Sequence, residues 1–131
     1  MQFVELRAVT PEFLAAHSET LKRYVAGFAE AAQFVRGHLD ETTDIVVQQR
    51  LKGMNPELVR AGLGFLRADP RISKVTVRAA QEGSDFAIRI GALKTAPTLA
   101  DMYDSGILRE VEREHPELFS DLPPIPDALK H

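Results

Sequence analysis

Apolar residues recur every three or four positions over most of this chain, a spacing that lines one face of an α-helix. The longest such segment runs from about Glu19 to Gly37, with Ser18 as its N-cap. A helix of one or two turns precedes it and ends near His17, because Thr10 can cap it and Pro11 suits the first helical position. The apolar stripe of the long helix consists of Leu21, Tyr24, Val25, Phe28, Ala32 and Val35, widened by Phe34.

Two further helices come after the long one. The first, "ETTDIVVQQRLK", begins after Asp40 and ends at Gly53. Its run of β-branched residues leaves a strand as the alternative, but the acidic residues in its first turn favour a helix. The second begins with Asn55 as cap and Pro56 at the first position, which is the clearest start signal in the chain. Its interior glycines predict close packing of another element. The expected buried residues are Leu58, Val59, Leu63 and Leu66, and the two glycines are Gly62 and Gly64.

The next segments also have helix-start signals. Ser73 caps a helix from about Lys74 to Ile90, although the short stretch "KVTVR" by itself would suit a strand. Thr98 with Asp101 three residues on has the spacing of a capping box, which predicts a short helix there.

Capping residues and prolines indicate where the last helix begins and ends and where the tail follows. Asp104 or Ser105 caps a helix that runs to about Glu114, and Pro116 prevents the helix from continuing. Three prolines in "SDLPPIPDALKH" predict that residues 117–131 form an extended tail over the surface.

The N-terminal residues alternate instead of keeping the helical spacing. Residues 2–9 place Val4, Leu6 and Ala8 on one face with Glu5 and Arg7 on the other, which predicts one short strand. A single strand must pair with another chain, with sequence not present here, or lie as an arm. The fold class expected is therefore mainly α: a single helical domain over residues 1–131, with about six helices, a strand or arm at 1–9 and the proline-rich tail.

Composition narrows the function classes. The chain has 131 residues, a net charge of −3 and no cysteine, and its Lys and Arg residues are scattered among acids. Nucleic-acid binding needs a clustered cationic face, so it is not expected. Disulfides and thiolate metal sites are excluded, and no apolar run is long enough to cross a bilayer. The N-terminus has no signal-peptide pattern.

Candidate chemistry is sparse. The four histidines are too far apart to form a helical metal pair, and two of them, His17 and His38, lie at predicted helix ends where they suit the helix dipole. The acid pairs one helical turn apart have arginines nearby, as expected for a solvated surface. We expect no catalytic residue, no metal site and no cofactor. The other histidines are His115 and His131, the acid pairs are Asp40 with Asp44 and Glu110 with Glu114, and the aromatic residues expected in the core are Phe13, Tyr24, Phe28, Phe34, Phe65 and Phe86.

A series of short motifs stands in a distinctive order. Phe13-Leu14, Ser18-Glu19, the alanines of residues 29–32 and "HLDE" at 38–41 precede "NPELVRAGLGFLR", "DPRIS" and "TLADMYDSGILRE". This series resembles the late part of periplasmic solute-binding proteins of the nitrate, sulfonate and taurine type, a family that includes thiamine-pyrimidine-precursor binders. The resemblance covers about Phe3 to Glu110, and Leu39 stands where the family usually has proline.

The resemblance implies a role in an ABC importer. The chain would be a C-terminal piece, or a free-standing relative of that piece, of a two-lobed α/β protein that binds a small anion or heterocycle. Its closing helices would fasten the chain onto the first lobe, and no ligand-binding residue can be carried over. The implied partner is an ABC permease and the implied location is periplasmic or extracellular; without a signal peptide in this sequence, a cytoplasmic location stays open.

Two other functions remain as alternatives. A free-standing helical module that forms homodimers is suggested by the unpaired strand and the apolar stripes. An enzyme of the same fold, such as a sulfinate desulfinase, is the third; its catalytic residues would lie outside this chain.

Overall fold

The computed structural model describes residues 8–66, 68–95 and 104–127. The described part of the chain is mainly helical, as the sequence predicts. It contains five α-helices, and a single 3-10 turn comes after the last of them. These elements are α1 (Pro11–Gly37), α2 (Leu39–Gln49), α3 (Pro56–Gly64), α4 (Lys74–Arg89), α5 (Gly106–Glu114) and the 3-10 helix (Pro116–Phe119).

Helix α1 covers both the short helix and the long helix that the sequence predicts between Pro11 and Gly37. The Thr10 hydroxyl accepts a hydrogen bond from the backbone N–H of Phe13 at 3.2 Å, and Pro11 occupies the first turn. The break predicted near His17 is present as a kink, since His17 has non-helical dihedral angles (φ −134°, ψ 30°) inside an otherwise continuous helix. Two apolar stripes can thus point in different directions from one 27-residue element.

Helices α2 and α3 form a hairpin whose boundaries differ slightly from prediction. Helix α2 begins at Leu39, before Asp40, and ends at Gln49; Gly53 lies beyond it, in the connecting turn, with a φ of +84° that favours glycine. The strand alternative for the β-branched run is wrong. Thr43 fits the helix because its hydroxyl donates a hydrogen bond to the Leu39 carbonyl at 2.8 Å.

Helix α3 confirms its start signal and overturns its predicted buried face. The Asn55 side chain accepts from the N–H of Glu57 at 2.8 Å, and Pro56 is the first helical residue. Val59 is buried, but Leu58 and Leu66 are exposed. The close packing predicted at Gly62 and Gly64 is also absent, because no described atom comes within 4 Å of a Cβ placed on either residue.

Helix α4 starts where the sequence predicts and is helical through "KVTVR", so the strand alternative is wrong there too. Ser73 and Thr76 form a reciprocal capping box, in which each side chain bonds the other residue's backbone N–H. The helix ends at Arg89, one residue before the predicted end, and Gly91 lies in the turn after it with a φ of +76°.

Helix α5 begins after Ser105, and the Asp104 carboxylate accepts from the N–H of Gly106 at 2.7 Å. It ends at Glu114, as predicted. The expectation of an extended tail from residue 117 is wrong at its start, because Pro116 begins the 3-10 helix. Proline suits that position, since its fixed φ is helical and no donor is needed in the first turn.

The core lies mainly between α1, α5 and the 3-10 helix, while α2 packs on α3 and on α1. It is built from small residues, so the prediction that the aromatic residues fill the core is wrong for most of them. On α1 the buried side of the apolar stripe is the one that contains Ala29 and Ala32, and Tyr24 and Phe28 on its other side are exposed. The buried apolar residues are Ala29, Ala32, Val59, Val77 and Val111, and the exposed aromatic residues are Phe13, Tyr24, Phe28, Phe65 and Phe86.

Two predictions fall outside the described residues. Most of the strand at residues 2–9 does, and Ala8 and Val9, which are described, are neither helix nor strand. The capping box of Thr98 and Asp101 also lies outside.

Val111 should contribute most to stability among single core side chains, because it is fully buried between α5 and its neighbours. We expect Val111→Ala to lower the free energy of unfolding by about 2 kcal/mol, from two lost buried methyl groups and the cavity they leave. Urea denaturation monitored by circular dichroism measures this. The same substitution at Val9, which is 49% exposed, should change the free energy by less than about 0.5 kcal/mol; equal effects at the two sites would contradict this packing.

Candidate functional site

The outward face of α3 is the most unusual surface among the described residues. Leu58 and Phe65 are seven residues apart, so they lie on the same side of the helix, with Gly62 between them. Phe65 is 88% exposed, Leu58 67% and Leu66 64%. We call Leu58, Gly62, Phe65 and Leu66 the α3 outer stripe. Such clustered exposure is typical of a surface that another molecule or segment covers.

The opposite face of α3 accounts for its packing within the molecule. Val59 is buried, Leu63 is half-buried, and this side meets α2. The helix therefore has two apolar faces, of which the described fold uses one. An amphipathic helix needs only one apolar face to pack on its own domain.

A second apolar region lies at the end of α4 and in the turn after it. Phe86, Ile90 and Leu93 are all exposed, and the Arg89 guanidinium carbon lies 5.5 Å from the centre of the Phe86 ring. The arginine covers part of this ring by a cation–π contact. The α3 outer stripe has no comparable cover among the described contacts.

The densest polar cluster is centred on Arg36 at the end of α1. Its guanidinium donates to both carboxylate oxygens of Asp121, at 2.7 and 2.8 Å, to the Leu118 carbonyl at 3.0 Å and to the Ala68 carbonyl. The hydrogen bond from Arg36 lowers the pKa of Asp121 below its ordinary value. All the acceptors of Arg36 are main-chain carbonyls or the Asp121 carboxylate, so this side chain holds chain segments together.

Arg71 forms the other half of this cluster. It pairs with both oxygens of Asp69, at 2.9 and 2.8 Å, and donates to the Pro123 carbonyl at 2.9 Å. Burial would raise the pKa of Asp69, but the hydrogen bonds from the side chain and backbone of Arg71 outweigh it, and the pKa is lowered. Nearby Glu112 behaves oppositely: burial raises its pKa, and the charge of Arg71 compensates only in part.

One open cavity of about 420 Å³ lies between α1 and the 3-10 helix. Its polar lining consists of Arg23, Glu30, Glu117 and His115, and the His115 Nδ1 lies 3.2 Å from the Glu117 carboxylate. The groove is open to solvent and carries charges of both signs. This cavity therefore does not resemble a site that encloses a small ligand.

The histidines singled out from the sequence lie apart from one another. His17 contacts Phe13 at the kink of α1, and His38 stacks on Phe34 between α1 and α2, with its Nδ1 3.2 Å from the Phe34 carbonyl. His115 ends α5, and His131 lies outside the described residues. His38 thus lies at the end of α1, as predicted, whereas His17 lies at the kink within α1 instead of at the end of a separate helix.

The acid pairs are divided among different partners. Asp40 pairs with Arg60 of α3, and Glu114 pairs with Lys22 of α1 at 3.2 Å, so each ties two helices together. No group of three metal-ligating side chains occurs among the described residues. In the same part of the chain, no helix is both long and apolar enough to span a membrane.

Sequence reasoning missed Arg36, Arg71 and the α3 outer stripe. The two arginines look like ordinary surface charges because their partners are 85 and 52 residues away. A weak signal for the stripe existed in Leu58, which is adjacent to Val59 in the sequence and therefore lies on a different side of α3.

The raised pKa of Glu112 makes a prediction with a definite sign. Its folded-state pKa lies above the unfolded value, so the ionised carboxylate lowers stability at neutral pH, and this cost disappears as the pH falls through the folded pKa. We expect Glu112→Gln to raise the melting temperature at pH 7 and to have no such effect at pH 3.5. Glu110→Gln, on the exposed side of the same helix, is the control in calorimetry. A gain at pH 3.5 as large as that at pH 7 would contradict the assignment.

Comparison with known proteins identifies no relative for this chain. No family model matches it, and neither a curated protein nor a solved structure matches it. Its function is therefore inferred from its residues, its geometry and the resemblance of its segment order.

Proposed function

We propose that this chain is the helical part of an ABC-importer solute-binding protein for a small anion or heterocycle of the nitrate, sulfonate or taurine type. In this proposal the segment acts by packing, not by chemistry. It has no catalytic role, works outside the cytoplasm, and meets the permease as part of the whole protein. The ordered motifs of residues 3–110 support the family, and the α3 outer stripe supports the packing role.

The exposure of Phe65, Leu58 and Leu66 is the single observation that carries the packing role. An exposed aromatic or leucine side chain loses about 1.5–3 kcal/mol that burial would supply. Leu58 in this nine-residue helix, with Phe65 and Leu66 directly after it, forms a group of exposed apolar side chains that makes an interface the favoured interpretation. In the proposed protein, the α/β lobes that precede this segment would cover the stripe.

Gly62 adds to this interpretation. A glycine in the middle of α3 weakens the helix by about 1 kcal/mol relative to alanine. The space above it is open among the described residues, so nothing within the described fold requires the missing side chain. A covering element that approaches the α3 backbone closely would supply the reason.

The ligand of the proposed protein is not expected to bind to this segment alone. A clamp-type site buries most of its ligand between two lobes, and this chain supplies at most one wall. We expect no saturable micromolar binding of nitrate, taurine or a pyrimidine in calorimetric titration of the isolated chain. A saturable site at that affinity would contradict the proposal.

A homodimeric helical module is the second candidate, and the same stripe favours it. Two α3 helices crossing at Gly62 about a two-fold axis would cover Phe65 and Leu58 of both copies. The other argument for a dimer, an unpaired strand at residues 2–9, lies outside the described residues apart from Ala8 and Val9.

A single thiol distinguishes the candidates, since the chain has no cysteine. Phe65→Cys should react rapidly with a maleimide in the dilute isolated chain. If the chain forms a dimer, the thiol becomes protected when the protein concentration reaches tens of micromolar. Sedimentation equilibrium at that concentration then gives twice the mass of the monomer. If the chain is part of a solute-binding protein, the thiol is protected only in a longer protein that includes an α/β lobe. That longer protein is expressed from a reading frame that extends upstream of the Met1 codon.

Asp44→Cys, on an exposed position of α2, is the matched control and should react rapidly in every sample. A thiol at position 65 that stays fully reactive in the longer product would contradict the packing role. A reading frame that begins at Met1 would contradict the transport proposal, and the homodimeric helical module would then be the remaining candidate.

A further inference from the structure

The segment of residues 116–123 is held to the rest of the molecule in an unusual way. The hydrogen bonds that attach this segment, which we call the strap, to α1 and to the α3–α4 connection are donated by side chains of those two elements. Gln33 donates to the Glu117 carbonyl at 2.8 Å, Arg36 to the Leu118 carbonyl and the Asp121 carboxylate, and Arg71 to the Pro123 carbonyl. Besides the packing of its 3-10 helix on α1 and α5, the strap is thus attached by side-chain donors in the way that a bound peptide is.

The donor side chains are held in position independently of the strap. Arg71 is fixed by its two-bond pair with Asp69, and Arg36 also donates to the Ala68 carbonyl. Both guanidinium groups are largely buried, with side-chain exposures of 13% and 15%. Preorganised donors of this kind lose little conformational freedom when an acceptor docks.

The strap also has its own internal hydrogen bonds. The backbone N–H groups of Leu118, Ser120 and Leu122 donate to carbonyls three residues earlier, and the Ser120 hydroxyl donates to the Glu117 carbonyl at 2.9 Å. Separation of the strap from the body does not itself break these bonds, but a detached 3-10 helix of four residues is unstable in water, so its amides lose their protection together once the strap has opened. His115, with φ −130° and ψ 57°, ends α5 and is the junction at which the strap can swing.

Asp121 supplies the side-chain acceptor among these attachments. The bonds to Glu117, Leu118 and Pro123 go to main-chain carbonyls, which any sequence provides, so the Arg36–Asp121 pair is the attachment among these in which donor and acceptor are both charged. Its side chain is 41% exposed, which leaves it accessible to solvent competition.

We propose that the strap is a latch that opens as one unit about His115, and that the Arg36–Asp121 pair holds it closed. Opening uncovers the half-buried Leu118, Phe119 and Leu122 and the faces of α1 and α5 against which the 3-10 helix packs. The molecule would then have a closed and an open state while α1, α2 and α3 remain folded. This device does not depend on which of the proposed functions is correct.

Hydrogen exchange of the full chain carrying Asp121→Asn tests the latch. Asparagine keeps the size and can still accept a hydrogen bond, but it removes the charge. We expect the amides of Leu118, Ser120 and Leu122 to exchange faster together, by about three- to tenfold, the range for a partly exposed charge-assisted pair. The amides of Thr42 and Val59, in α2 and α3, should not change. Asp44→Asn, an exposed residue of α2, controls for the loss of one negative charge.

Three results would overturn the proposal. Unchanged exchange at the three strap amides would show that the pair does not hold the strap. Faster exchange at Leu122 alone would indicate fraying of the end instead of opening as a unit. An equal increase at Val59 would mean that the strap is part of the global fold and not a separate latch.

Discussion

The Arg36 guanidinium joins three parts of the molecule, namely the end of α1, the α3–α4 connection and the strap. It extends from the end of α1 and binds the carbonyl of Ala68 in the α3–α4 connection, the carbonyl of Leu118 and the carboxylate of Asp121. A planar group with five donors can serve acceptors in several directions, which a lysine cannot. Because these acceptors come from segments distant in sequence, this side chain, together with Gln33 and Arg71, fixes their relative positions. Loss of a largely buried cation's partners would leave it unsatisfied, which costs more than the bonds themselves contribute.

This dependence results from how little apolar core the described residues possess. The buried apolar side chains are alanines and valines, and the large ones are mostly at the surface. Burial scales with side-chain area, so such a core contributes less than one built from leucine and phenylalanine. Side-chain hydrogen bonds therefore have an important role in fixing the strap and the α3–α4 connection. The same shortage is seen in the apolar side chains of α3 and α4 that stay exposed.

The polar features support the same interpretation. Among the described residues, His38 and His115 end helices, His17 lies at the kink of α1, and Asp40 and Glu114 connect neighbouring helices. The donors of Arg36 and Arg71 that make hydrogen bonds bind acceptors from the chain itself. Binding of another protein surface, rather than conversion or enclosure of a small molecule, is thus the activity that we propose for this segment, in the solute-binding protein and in the dimeric module alike.

The sequence by itself determined where the helices begin. Thr10, Asn55 and Ser73 cap α1, α3 and α4 because capping is a local bond between residues two or three apart. The kink at His17 was predictable for the same local reason. Only the tertiary structure decided which side of each apolar stripe is buried, since α1 turns Ala29 inward and α3 leaves Phe65 outside. Hydrophobic spacing indicates a face but not its neighbour, and the partners of Arg36 lie too far along the chain for any local pattern to indicate them.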